Sequence, residues 1–165
     1  MPGTRRLGRG QADLYSAEAE TIDRVARRWR RLADAQASVD ELINSEWFFD
    51  RWPWFVRGVV ERRGSGSVWS TCQPLDGDGP DGRPTEGVVL VAARALNQAT
   101  VLHELAHLLV AGDAGHGPAF AETLLTLVRH EMGFFAFADF YHALRRRPGF
   151  ASIAEGIDVE AAHTL

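Results

Sequence analysis

Apolar positions along this chain follow a helical rhythm at both ends and a strand rhythm in the middle. Over about 13–37, Ile22, Val25, Trp29 and Leu32 recur at helical spacing, which predicts one amphipathic helix with Arg24, Arg27, Arg28 and Arg31 in a second stripe. Ser38-Val39-Asp40-Glu41 has the form of a capping box and predicts a short helix over 39–46. The aromatic run from Trp47 to Phe55 reads first as core where helices meet a sheet, and second as the wall of a substrate pocket. Three strands follow, at 56–62, 67–73 and 87–92, with Gly64-Ser65-Gly66 as a hairpin turn between the first two. The loop over 74–86 is polar and Gly-rich, and its acids lack the spacing of an EF-hand calcium site. Helical runs return at 99–110, 118–132 and 134–144, with Gly133 between the last two and Arg145-Arg146-Arg147 at the end, before Pro148-Gly149. The expected fold is a single α+β domain over 13–149. It would have N-terminal helices, a small three-stranded antiparallel sheet and C-terminal helices, between a disordered tail at 1–12 and a loose tail at 150–165.

The run over 99–110 carries the chemistry. It contains His103-Glu104-Leu105-Ala106-His107, an H-E-x-x-H pattern in an otherwise apolar helix. Residues four apart share a helix face, so the two imidazoles can aim at one point, a partial site for zinc. Glu104, one position round from His103, can hold a metal-bound water and act as general base without ligating the metal. Burying Glu104 among Leu and Val without a partner would cost several kcal/mol. The plainer reading is a core helix with two hydrogen-bonded histidines and a glutamate at a cavity edge. A catalytic zinc needs a third protein ligand and keeps one position for water. Gly112 and Gly115 break the helix, and His116 arrives where the chain can fold back to the metal, just before Gly117-Pro118 opens the next helix.

H-E-L-A-H, a short Gly-containing turn and then H-G-P-x-F resembles the SprT-like zinc metallopeptidases. It looks closer still to a small group of actinobacterial zinc metallohydrolases with the same core. The likeness covers roughly residues 86–132. It implies a zincin-like fold, His103, His107 and His116 as zinc ligands, Glu104 as general base, and Phe120 packing the second helix onto the first. It also implies peptide or protein substrates, sometimes proteins bound to DNA. In zincin-like folds a sheet edge lies beside the cleft, where an extended peptide can add by main-chain hydrogen bonds.

Other residues compete for these roles. Asp113 stands six residues after His107, where metzincin-type sites place a third ligand, although Val110 occupies the position where that pattern wants Gly. Failing that, Asp113 could hydrogen-bond a ligand imidazole. Glu122 or Glu131 could supply a carboxylate from the downstream helix, and Cys72 a thiolate from upstream. Tyr141, His142 and His130 are candidates for an oxyanion donor.

Composition narrows the setting. The chain has 165 residues, 18 basic residues against 22 acidic ones, and a formal net charge of −4. All the basic residues are arginine. That balance, with no cysteine after His116 to build a DNA-binding zinc module, makes nucleic acid a doubtful partner. No apolar run approaches membrane-spanning length, no secretory signal opens the chain, and a single cysteine suits a reducing cytoplasm. The expectation is therefore a cytoplasmic zinc metallopeptidase with a peptide or protein substrate. The competing expectation is a zincin-fold binding or regulatory protein, phage- or host-encoded, without turnover.

Overall fold

The computed structural model describes residues 9–64, 66–92, 94–110 and 115–155. Among them are seven α-helices and one three-stranded sheet, so the α+β class holds.

The long N-terminal helix is broken. It becomes α1 (Arg9–Glu20), the single turn α2 (Ile22–Val25) and, after an extended stretch, α3 (Leu32–Ile43). The break has a tertiary cause. Arg28 forms a β-bridge with Asn97, Trp29 N–H donates to the Leu96 carbonyl, and Gln98 N–H donates to the Arg27 carbonyl. These bonds satisfy backbone groups that a helix would otherwise use, and they tie this stretch to the start of a later helix. Val25, expected in the buried stripe, is consequently exposed. Ser38–Glu41 does not open a helix but lies inside α3. The capping serine is Ser45, whose hydroxyl accepts from Phe48 N–H at the start of α4 (Glu46–Arg51). Phe48, Trp52 and Phe55 are buried and Trp47 and Trp54 partly so, as the core reading of the aromatic run expects, whereas Phe49 is exposed.

The sheet is mixed, which corrects the antiparallel expectation and removes the hairpin. Strands β1 (Arg57–Arg62), β2 (Thr71–Asp76) and β3 (Glu86–Val91) run in the order β1-β3-β2. β1 pairs parallel to β3, Gly58 opposite Gly87, and β2 pairs antiparallel to it, Cys72 opposite Val89. β3 takes the centre because its run of Val88, Val89, Leu90 and Val91 is the most continuously apolar, as a strand covered on both faces requires. Pro74 has no N–H for a ladder and is tolerated at an edge, so β2 stays outside, with a register shift between Pro74 and Asp76. The other edge is blocked. From α3, Gln36 donates to the Gly58 carbonyl at 2.8 Å and accepts from Val60 N–H at 2.7 Å, standing in for a neighbouring strand.

The helix α5 (Gln98–Leu109) starts at Asn97, whose side chain accepts from Thr100 N–H at 2.9 Å, and packs against β3 and β2. Ten of its twelve residues are buried, so it runs through the core. α6 (Pro118–Met132) packs on it through Phe120, Leu124, Leu127 and Val128. Gly133, at φ 88°, turns the chain into α7 (Phe134–Arg145), a conformation open to glycine. The 3-10 helix Pro148–Glu155 then places Phe150 and Ile153 in the same core. Among the described residues, no helix is long and apolar enough to cross a membrane.

Candidate metal centre

The site is built where α5, the start of α6 and α1 meet. His103 and His107 lie one turn apart on α5, and the turn before α6 brings His116 back to them. His116 Nε2 lies 3.2 Å from His103 Nε2 and 3.1 Å from His107 Nε2. All three ligand atoms fall within 4.8 Å of one another, and together they could hold a metal ion. At metal–nitrogen bonds of about 2.0–2.1 Å, a tetrahedral ion sets its ligand atoms about 3.3–3.4 Å apart. Phe120, fully buried, packs against all three rings and fixes α6 to α5 at this point.

Two residues from α1 complete the surroundings. Glu18 Oε1 accepts from His103 Nδ1 at 2.6 Å, and both side chains are buried. With the proton on Nδ1, His103 Nε2 presents a lone pair to the centre. His116 Nε2 then faces two imidazole nitrogens but can offer at most one proton. The contacts cannot all be hydrogen bonds, and a cation between the rings would relieve the clash of lone pairs. Tyr15 stacks on His103, and its hydroxyl lies 3.5 Å from His116 Nε2.

The electrostatics separate the imidazoles. Burial, then the neighbouring imidazoles, hold His107 down to about 3, and burial with His103 holds His116 down to about 4. Burial also disfavours the His103 cation, but the charge and hydrogen bond of Glu18 outweigh it, and the pKa is raised. Glu104 is only 7% exposed and makes no hydrogen bond to a described residue. Burial pushes its carboxyl up to about 7, against the partial relief of His103. Its side chain lines a cleft beside the triad, together with Tyr15, Glu18, Asp23 and Trp69.

The remaining candidates fall elsewhere. Asp113 lies outside the described residues. Glu122 and Glu131 are not in the ligand cluster, and the Glu131 main-chain carbonyl accepts from Gln98. Cys72 sits half-buried on β2, its thiol pushed up to about 12 by burial and by Glu104, so it remains protonated. His130 stacks on Trp47, and Tyr141 stacks on Phe137 and touches His142, away from the triad. Glu18 and Tyr15 stand four and seven residues before Ile22, on the same face as the apolar stripe, so a carboxylate at a stripe position is the available signal, and the burial of Glu18 against His103 gives it a purpose. Comparison with protein-family models, curated proteins and solved structures finds no match.

Proposed function

We infer that this chain is a zinc-dependent metallohydrolase, a zincin-type metallopeptidase acting on peptide or protein substrates, as its SprT-like motif implies. His103, His107 and His116 would hold the zinc, with Glu104 as general base. The observation that carries this reading is the convergence of three imidazole nitrogens beside a buried carboxylate that has no hydrogen-bond partner among the described residues. Imidazole suits zinc, and a set of three protein ligands is the open arrangement of catalytic sites, whereas structural zinc is closed by four. A bound zinc would polarise the scissile carbonyl and bring the pKa of a coordinated water toward about 7.

The chain's own residues supply the rest. As water attacks the carbonyl carbon, Glu104 takes its proton and delivers it to the amine that leaves when the C–N bond breaks. Tyr15, its pKa raised by burial, keeps its proton and stands beside His116 as the available oxyanion donor. β2 is the open sheet edge next to α5, so an extended peptide could pair with it and run past the triad. A lone, protonated cysteine fits a reducing cytoplasm.

The test is paired. Wild type should bind one zinc per chain and His116→Ala should lose it, both measured by elemental analysis. Glu104→Gln should keep the metal and lose proteolysis of an unfolded protein. Metal retained by His116→Ala would overturn the ligand set. Turnover retained by Glu104→Gln would overturn the mechanism, and a wild type with zinc but no turnover would favour the non-catalytic binding protein.

A further inference from the structure

The geometry points to a cationic side chain, of lysine or arginine type, as the group this cleft recognises on its substrate, with Asp23 as the carboxylate that reads it. The inference rests on the peptidase reading above and names the substrate class of that site. The cleft measures about 160 Å³ and opens directly onto His103 and Glu104. That is below the roughly 300–1,000 Å³ of pockets that enclose a whole small molecule, and it suits a single side chain.

Three carboxylates, of Glu18, Asp23 and Glu104, face it together with His103, and among the described residues no arginine lines it, although Arg63 offsets Glu104 from outside the lining. Glu18 is committed to His103, and Glu104 sits nine-tenths buried at the triad with no hydrogen-bond partner among the described residues. Asp23 likewise has no hydrogen bond or ion pair among them. It lies at the solvent-reaching end of the cleft, its carboxyl pushed up by burial and by the charge of Glu18. Arg28 partly offsets that charge but neither lines the cleft nor forms an ion pair with Asp23. Part of the lining is aromatic. Trp69, 62% exposed, stacks on Tyr15 with ring centroids 6.3 Å apart, and Arg63 donates to its carbonyl. A guanidinium or ammonium entering here would meet an aromatic face and an unpaired carboxylate, which recognise such a cation together. A neutral or acidic side chain would leave Asp23 with only the partial offset of His103 and Arg28.

The experiment measures binding by calorimetry on the zinc-loaded full chain, with L-arginine hydroxamate and L-norleucine hydroxamate as probes. Both carry the same chelating group and differ in side-chain charge. The expected result is that the arginine compound binds about tenfold more tightly. Asp23→Asn should bring the two within about twofold by weakening the arginine compound alone. Trp69→Ser, at an exposed position, should cut the preference by about threefold. Equal affinities in the wild type, or a preference that survives Asp23→Asn, would overturn the inference while leaving the metal site standing. Binding of neither compound would remove the metal-site reading, and this inference with it.

Discussion

Glu18 is a carboxylate on the buried face of α1, four residues before Ile22, and its burial is offset through His103. An acceptor on Nδ1 fixes the tautomer and ring orientation of a ligating imidazole, and loss of such a partner typically costs 10–100-fold in metal affinity. Glu18→Gln should therefore weaken zinc binding by about 10–100-fold in competition with a chromophoric chelator, with the circular dichroism spectrum unchanged. Unchanged affinity would reduce the 2.6 Å contact to packing. The same pair sets a pH signature in the metal-free protein. His107 and His116 are held far below the ordinary imidazole value of about 6.5. Between about pH 6.5 and 4 the unfolded chain takes up protons there that the folded chain does not, so these two groups lower stability as pH falls. His103 runs the other way. Its folded pKa is raised, so its pairing with Glu18 stabilises fully below about 6.5 and the gain is lost as pH rises through the folded value. Glu104, up at about 7 against an ordinary 4.5, also favours the folded state more strongly at low pH. These contributions oppose one another in a melt, so the informative measurement is site-resolved NMR of the chelator-treated protein. The His103 ring should titrate above pH 6.5, while His107 and His116 stay flat down to pH 5. Titration of His107 near 6.5 would contradict its burial against the other two rings.

At the scale of elements, the metal helix is seated on the sheet through a close approach. A Cβ added at Gly87 on β3 would lie 2.5 Å from Leu108 Cδ1, and Leu108 is buried on α5 and has little room to yield. Gly87→Ala should cost about 1–3 kcal/mol by overpacking. Because the clash is with one side chain, the double variant with Leu108→Ala should be less destabilised than the two single costs added, by about 0.5–3 kcal/mol in urea denaturation. Additive costs would mean that β3 and α5 shift apart rather than clash. What could be read from sequence divides along the same line. α5, α6 and α7 are legible because their periods are local, and Pro118 and Gly133 mark ends that the structure keeps, while the Asn97 cap of α5 is added by the structure. H-E-x-x-H and His116 are legible for the same reason, since one turn and one short loop bring them together. The broken first helix and the mixed sheet are not, because distant partners decide both. The Arg27–Trp29 stretch leaves the helix for backbone bonds to Leu96 and Gln98, and β3, last in sequence, takes the centre between the other two strands. Glu18 and Tyr15 share the face of the apolar stripe, but the residues that use them lie about a hundred residues away, so their role is not legible.

For the whole molecule, a metal at this site would act as a clip. It would join α5 to the start of α6 and, through Glu18, to α1, three segments otherwise held by core packing of Leu14, Leu105 and Phe120. Binding to the folded state alone stabilises it by about 2.7 kcal/mol when free zinc is a hundredfold above its dissociation constant. For a chain of this size each kcal/mol moves Tm by about 2–4 °C. Zinc-loaded protein should therefore melt about 5–11 °C above chelator-treated protein in differential scanning fluorimetry. The variants divide this shift by role. His116→Ala removes a ligand and should abolish it, while Glu104→Gln removes a base that does not ligate and should keep it. Glu104→Gln should also stabilise the metal-free protein above pH 4.5, because it removes a carboxyl that burial makes costly to ionise. A zinc shift that survives His116→Ala would place the ion elsewhere in the chain. A shift lost in Glu104→Gln would make the carboxylate a fourth ligand, and the centre a closed, structural one.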